Sequence, residues 1–295
     1  MKKVILLIVL AFAMNAFSQV PANFTIEGHR GARGYVPENT IPAFIKGLEL
    51  GADTLELDVV ISKDNKIVVS HDTYFSSVIS TDKNGQPITA DKQKDFVLYK
   101  MNYDEIKLYD IGSRGNKDFP EQVKMKIYKP LLSDVFAEIK KYAKKNNIKS
   151  VRYNVEIKSA PEGDNVAHPA PPVFAKMVYD EILKNKMEKN VIVQSFDVRP
   201  LQELRKMPVK LPLALLVGNK DGVENNLNKL GFSPDTYSPH YGLVDEATVN
   251  YLHAKGIKIV PWTVNEMADL EKMKAFKLDG IISDYPDRAV KVFKK

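Results

Sequence analysis

Residues 24–72 read FTIEGHRGARGYVPENTIPAFIKGLELGADTLELDVVISKDNKIVVSHD: an apolar run, a polar cluster, a helical pattern, a second apolar run and a second polar cluster. Phe24-Thr25-Ile26 is short and β-prone and breaks at Gly28, which predicts a buried strand that stops as it delivers His29 and Arg30. Beyond Pro37, Glu38 and Asn39, the residues Ile41, Phe44, Ile45 and Leu48 recur at the three-to-four spacing of one buried helix face, and Gly51 ends it. The next run, Thr54–Ile61, is a strand. Side chains alternate along a strand, so Glu56 and Asp58 share one side while Leu55, Leu57 and Val59 take the other. Two carboxylates in an otherwise apolar strand raise each other's pKa and are costly to bury unless a cation or base neutralises them. A surface-facing strand edge is the alternative, disfavoured by the apolar flanks. After the turn at Ser62–Lys66, Ile67–Ser70 delivers His71 and Asp72. Strand, helix and strand make one βα repeat with its chemistry at the strand ends.

The remaining chain extends this rhythm after an interruption. Residues 73–129 are polar, rich in Lys, Asp, Asn and Tyr, and hold turn signals but no long apolar strand, as expected of an insertion on the rim of the fold. From Pro130 to Asn147 an amphipathic helix is predicted, with Leu132, Val135, Phe136 and Ile139 on one face. Strands are then expected at 152–157, 191–194, 213–217, 236–238, 258–262 and 280–283, and helices at about 172–184, 198–207, 223–230, 245–254 and 266–276 and from Pro286 onward. Counted from Phe24, about eight strand-helix units result. Over this length they favour an α/β fold closed as a TIM (β/α)8 barrel over an open doubly wound sheet. The active site of such a barrel lies at the C-terminal ends of its strands. In the strand at 152–157, Asn154, Glu156 and Lys158 lie on one face, so an acid and a base join the site from a separate strand; a purely structural buried ion pair is the alternative. Glu56, Asp58 and Glu156 together form an all-oxygen ligand set, which suits a hard divalent cation, Ca²⁺ or Mg²⁺, better than zinc.

Met1-Lys2-Lys3 followed by VILLIVLAFAMNAFS has the basic start, apolar core and small residues of a secretory signal peptide, residues 1–18, cleaved near Ser18-Gln19; the apolar run is too short for a transmembrane span. An exported protein, periplasmic or secreted, is expected, with an uncleaved anchor as the alternative. No cysteine is present, which excludes a disulfide framework, a thiol nucleophile and a lipidated thiol. The formal charge of +6 includes Lys2 and Lys3, and the lysines at 140, 141, 144 and 145 sit on one helix without interleaved aromatics. They read as a solvated face and not as a nucleic-acid surface. Residues 19–295 suit one large α/β domain with an insertion at about 73–129.

HRGARGYVPENT, ELDVVISKDNKIVVSHD and NVEIKS, followed by QSF (194–196), PWTVN (261–265) and DGIISDYPD (279–287), resemble in order and spacing the signature blocks of the glycerophosphodiester phosphodiesterase family. The resemblance implies a TIM barrel with an inserted subdomain, a single divalent cation held by Glu56, Asp58 and Glu156, and His29 and His71 as the acid–base pair. It also implies Arg30 and Lys158 as phosphate-holding groups. Physical chemistry agrees with each role, since histidine suits proton transfer near neutral pH and a cation with a guanidinium and an ammonium can neutralise a phosphodiester as charge builds on it. Glu38 matches the acid of the family's PENT block, with capping of the following helix as the alternative. Gln194 and Trp262 fall at strand ends and suit a wall facing the glycerol. One departure from the family is the start of the insertion, where ISTDKNGQPIT replaces an arginine- and threonine-rich segment, so the substrate-selecting part is the least constrained.

The expected function is an exported phosphodiesterase that hydrolyses glycerophosphodiesters to sn-glycerol 3-phosphate and an alcohol. One alternative is a phospholipase acting on phospholipid or lysophospholipid, favoured if Tyr74, Phe75, Tyr99 and Tyr103 line an apolar lip. The other is a binding protein without catalysis, which the intact acids and histidines oppose. His168 and His253 are expected in solvent; for His240, after the sixth barrel strand, reach into the pocket is the minor alternative.

Overall fold

The computed structural model describes residues 20–21 and 23–294; the leader expected at 1–18 lies outside them. Eight parallel strands form one sheet: β1 (Thr25–Gly28), β2 (Thr54–Ile61), β4 (Arg152–Ile157), β5 (Val191–Ser195), β6 (Leu213–Val217), β7 (Thr236–Pro239), β8 (Lys258–Ile259) and β9 (Gly280–Ser283). Their spatial order is β8-β7-β6-β5-β4-β2-β1-β9, and β3 (Ile67–Val69) pairs antiparallel with the outer end of β2. Hydrogen bonds from Ile282 N–H to the Pro261 carbonyl and from Val264 N–H to the Ile282 carbonyl, both 2.9 Å, join the chain after β8 to β9 and bring the sheet round on itself. The expected TIM barrel is the fold.

The helices between the strands cover the barrel: α1 (Ile41–Glu49), α3 (Leu132–Lys145), α4 (Pro171–Lys184), α5 (Val198–Lys206), α6 (Val223–Leu230), α7 (Glu246–Ala254), α8 (Met267–Lys274) and α9 (Pro286–Phe293), with the short α2 (Tyr103–Ile106) lying in the insertion. Thr40 caps α1, its hydroxyl accepting the Ala43 N–H. That leaves Glu38 free for another task. Leu132, Val135, Phe136 and Ile139 of α3 are buried as their spacing required, while Lys140, Lys141, Lys144 and Lys145 face solvent. Every residue of β2 is buried, Leu55, Leu57 and Val59 against the helices and Glu56 and Asp58 inside the barrel. The surface-edge alternative for this strand is thereby excluded.

Residues 73–129 pack around a small core of their own. Phe75, Ile79, Ile88, Leu98, Tyr103, Ile106, Tyr109 and Ile111 cluster on Val60 of β2 and Val68 of β3. A segment with so few apolar residues keeps its shape because these two outward-facing valines at the strand end anchor it. Phe75 and Tyr103 are therefore core residues and Tyr99 packs on the main core, so of the four aromatics that were candidates for an apolar lip only Tyr74 lines an open surface.

Candidate active site

A cavity of about 210 Å³ opens at the C-terminal ends of the strands, lined by His29, Arg30, Arg33, Glu56, His71, Glu156, Lys158, Gln194, Phe196 and Trp262 among others. Every residue selected from the sequence for the site lies in this lining except Asp58 and Glu38, which sit directly behind it.

The turn after β1 builds its first wall. Arg30 takes the left-handed backbone region (φ 51°), as does Gly31 (φ 88°), where a Cβ would stand 2.5 Å from the carbonyl carbon of Ala43. Only glycine fits there. This turn directs the Arg30 N–H at Oε2 of Glu56 (2.9 Å), and the other oxygen, Oε1, accepts from Nε2 of Gln194 (2.9 Å). Asn39, also left-handed (φ 58°), is bound to β2 through two contacts, its amide donating to Oδ2 of Asp58 (2.8 Å) and its carbonyl accepting the Asp58 N–H (3.2 Å). Parallel pairing of β2 with β4 sets Asp58 beside Glu156. One carboxylate oxygen from each of Glu56, Asp58 and Glu156 lies within 4.8 Å of the others, and all three residues are buried.

The electrostatics of this trio favour a neighbouring cation. Burial, then Asp58 and Glu156, pushes Glu56 well above the ordinary carboxylate range; burial likewise raises Glu156, with Lys158 opposing it. Burial alone would raise Asp58 too, but Lys158, His71 and Arg30 outweigh it and hold Asp58 low. Lys158 Nζ lies 2.7 Å from Glu156 Oε1 and 3.6 Å from Asp58 Oδ1, so the ion pair read from the sequence exists and belongs to the site. Each Glu56 oxygen has one protein donor, which leaves its second lone pair for a cation. Crowded oxygen ligands, a depressed tendency of Glu56 to ionise and the absence of thiolate or imidazole from the trio fit a hard divalent ion.

Both histidines hold Nδ1 against a carboxylate, but with different rigidity. His29 Nδ1 is 2.7 Å from Oδ1 of Asp284, which also accepts from Arg33 Nε (2.8 Å), while its Oδ2 accepts from Arg33 Nη2 (3.0 Å) and Asn265 Nδ2 (2.7 Å). Burial pushes the His29 imidazole down to about 4, with Asp284 pulling the other way; the same burial is overcome at Asp284 by His29 and Arg33, which keep it ionised. His29 is thus neutral near pH 7 with its proton on Nδ1, and Nε2 offers a lone pair into the cavity, 4.0 Å from Glu56 Oε2. His71 Nδ1 is 2.9 Å from Asp72 Oδ1, and both side chains are about one-third exposed.

Arg30 bonds Oε1 of Glu38 (2.8 Å), and Arg33 lies 3.6 Å from Oε2 of the same acid. Glu38 therefore orients two cations, and the cap of α1 falls to Thr40. Gln194 projects into the cavity wall with both ends of its amide already bonded, to Glu56 and Asn154. The Trp262 ring stands edge-on to Phe196 and His240, and its indole N–H donates to the Ser238 carbonyl. His240 meets this ring, the Tyr241 ring and the Gly242 N–H, and does not line the cavity. His168 corrects the expectation of solvent: it is buried, accepts the Ala160 N–H at Nε2 (3.0 Å) and bonds the Pro169 carbonyl, clamping the loop after β4. His253 is exposed, as expected, although it bonds Asp279 (2.8 Å). Reading by sequence missed Asp284, Arg33 and Lys129. Asp284 and Arg33 both sat inside the quoted blocks DGIISDYPD and HRGARGYVPENT. The buried Lys129 donates to Ser70 Oγ (2.9 Å), whose own hydroxyl bonds the Asp72 carbonyl and so braces the His71 turn.

A cavity this rich in cations yet built on three carboxylates suits an anionic ester pressed against a metal, and with the barrel around it the class is that of the phosphoric diester hydrolases. The model of the glycerophosphoryl diester phosphodiesterase family matches residues 29–288, and the chain belongs to that family. It is 32% identical over 270 residues to a glycerophosphodiester phosphodiesterase of Caldanaerobacter subterraneus subsp. tengcongensis, covering 90% of this chain and 96% of the relative. A crystal structure from Silicibacter pomeroyi DSS-3 that carries a glycerophosphoryl diester phosphodiesterase name superposes with a TM-score of 0.82 at 27% identity, covering 94% of both chains. An Oleispira antarctica phosphodiesterase, solved with the product sn-glycerol-3-phosphate, shares the fold at a TM-score of 0.72 and 20% identity, covering 92% of this chain and 97% of that one.

Proposed function

We propose that this glycerophosphodiester phosphodiesterase is exported and depends on one divalent cation held by Glu56, Asp58 and Glu156, with His29 as general base and His71 as general acid. The observation that carries the assignment is the unlike setting of the two imidazoles: the His29 side chain is only 13% exposed and neutral with Nε2 free, whereas His71, one-third exposed, stands at the open side of the same cavity. A base needs a fixed lone pair; an acid needs to recover its proton from water. The product held by the Oleispira antarctica enzyme, sn-glycerol-3-phosphate, is the product proposed for this chain.

In the proposed reaction Arg30 and Lys158 bind the phosphoryl oxygens, their positions set by Glu38 and by Glu156 with Asp58. His29 Nε2 takes the proton of the neighbouring glycerol hydroxyl as it attacks phosphorus, and Asp284 stabilises the imidazolium that forms. His71 protonates the departing alcohol oxygen, and water then opens the cyclic phosphodiester to give sn-glycerol 3-phosphate, its proton and the one returned to the glycerol oxygen passing between the same two imidazoles. When bound, the cation supplies Lewis-acid stabilisation of charge on the phosphoryl group and lowers the pKa of the nucleophile. Trp262 and Phe196 form the apolar side of the cavity, against which the glycerol carbons pack.

Beyond His71, a second cleft of about 560 Å³ runs between the insertion and the loop after β4, lined by Tyr74, Val97, Lys94, Lys100, Ala160 and Val166 among others. Its partly apolar walls favour a second reading, in which the leaving alcohol carries an acyl chain and the substrate is a lysophospholipid. Turnover of glycerophosphocholine against lysophosphatidylcholine, each with and without chelator, tests both readings. Release of sn-glycerol 3-phosphate that chelator abolishes and added Ca²⁺ or Mg²⁺ restores is expected; full turnover in chelator overturns the metal role. Export rests on the basic start and apolar run of residues 1–18. Intact-mass measurement on protein from its native host, showing residues 1–18 retained, overturns it.

A further inference from the structure

The interior of the barrel below the cavity is polar, and its side chains form one line. Glu27 of β1, Asn154 of β4, Gln194 of β5 and Glu56 of β2 come from four strands and are each no more than 6% exposed. Asn154 Nδ2 donates to Glu27 Oε2 (2.8 Å) and to Gln194 Oε1 (2.9 Å), and Gln194 Nε2 donates to Glu56 Oε1 (2.9 Å). No helix or loop takes part.

The direction of this line is dictated from its upper end. Glu56 in the ionised form that would hold a cation only accepts, so Gln194 turns its N–H toward Glu56 and its carbonyl toward Asn154. Asn154 must then present its amide nitrogen to Gln194, and its second N–H falls to Glu27. The cost is visible: Asn154 Oδ1 is buried with no partner. An orphaned buried acceptor is unfavourable, and flipping the amide would satisfy that oxygen only by breaking the bond to Gln194. Hence the orientation of Asn154 is imposed by Gln194 and Glu27 together. The other Glu56 oxygen is held by the Arg30 N–H. Removing the Gln194 contact leaves the carboxylate free to rotate about that single bond, toward Asp58 and Glu156 or away from them.

We infer that Gln194, Asn154 and Glu27 are positioning residues that hold Glu56 at the angle a divalent cation requires, with Gln194 acting directly and the other two through it. The inference rests on Glu56 being a metal ligand, as proposed above. Gln194 accordingly acts on Glu56 and not as a hydrogen-bonding wall for the glycerol.

Isothermal titration of the metal-stripped protein with Mg²⁺ and with Ca²⁺ tests it, with thermal melting and circular dichroism as controls for folding. Loss of a group that orients a metal ligand typically weakens affinity by about 10–100-fold, and Gln194→Met is expected in that range. Asn154→Leu should weaken binding less than Gln194→Met, and Glu27→Gln, whose amide carbonyl still accepts from Asn154, should stay within about twofold of the wild type, since the outer-partner effect is confined to groups that lose their bond. That ordering with distance from Glu56 distinguishes orientation from packing, which would lower the melting temperature without grading the affinity. If Gln194→Met does not fold, Asn154→Leu decides the matter. Affinities of the folded Gln194→Met and Asn154→Leu proteins indistinguishable from wild type overturn the inference. Glu156→Gln separates the two levels: if it loses metal while the Gln194 and Asn154 variants keep it, the ligand assignment stands and the positioning role fails, whereas a wild type that binds neither ion removes both.

Discussion

The two imidazoles of the cavity are held alike at Nδ1 and differ in everything behind it. His29 leans on Asp284, a carboxylate 1% exposed that is itself gripped by both arms of Arg33 and by Asn265, 255 residues along the chain from the histidine. His71 leans on its own neighbour, Asp72, and both are about one-third exposed. The first is a fixed group whose tautomer and direction were set during folding. The second is a rim group, braced from below only through Lys129, Ser70 and the Asp72 carbonyl. On the proposed assignment, pre-organisation is concentrated on the side that would remove a proton, while the side that would exchange a proton with water lies near it.

The largest effect should come from deleting either imidazole. His29→Ala and His71→Ala should each lose about 10²–10⁴ in kcat, measured on glycerophosphocholine at saturating metal. A p-nitrophenyl phosphodiester, whose leaving group departs without protonation, should rescue His71→Ala and leave His29→Ala slow; the reverse pattern would exchange the two roles. Next in size is Asp284→Asn. It leaves one accepting oxygen where two served His29, Arg33 and Asn265, and strands the Arg33 charge, so kcat should fall about 10²-fold and stability by about 3–5 kcal/mol, the cost of breaking a buried pair. Denaturant unfolding together with kinetics checks both numbers, and a stable, active Asp284→Asn would end the contrast drawn here.

A third expectation concerns pH, and again the buried side should dominate. Burial pushes Glu27, two residues before His29, up to about 7, with its bond from Asn154 opposing. Between its ordinary value of about 4.5 and about 7 the folded chain keeps a proton on Glu27 that the unfolded chain has released. Stability from this group is complete below that window, falls as pH rises through it and is gone above it. The loss amounts to about 3 kcal/mol, at 1.36 kcal/mol for each unit. Glu27→Gln should flatten the stability profile between pH 4.5 and 7, as read by urea unfolding across that range. An unchanged slope would show that Glu27 does not titrate in the window. The smallest effect is expected at the rim: Asp72→Asn should lower kcat by less than about tenfold and stability by no more than about 1 kcal/mol, since an exposed pair contributes little.

What the amino-acid sequence determined by itself was whatever depends on periodicity and on neighbours in the chain. A period of two in Thr54–Ile61 and Arg152–Ile157 placed Glu56 with Asp58 and Glu156 with Lys158; a period near 3.6 marked α1 and α3; and repetition of the two predicted the barrel. His29 and His71 were legible because each follows the end of an apolar strand, and the three acids because they interrupt one. What only the tertiary structure decided was pairing at a distance. Asp284 gains its meaning from a strand that meets β1 by closing the barrel, Glu38 from the arginines that a left-handed turn brings back to it, and Gln194 from a carboxylate on a strand two places away in the sheet. His168, polar and in a loop, reads as exposed in the chain and is buried in the fold, because the cost of burying an imidazole is met by hydrogen bonds to the Ala160 N–H and the Pro169 carbonyl. Local pattern fixes which face of an element a side chain occupies; only the packed barrel fixes what it meets there.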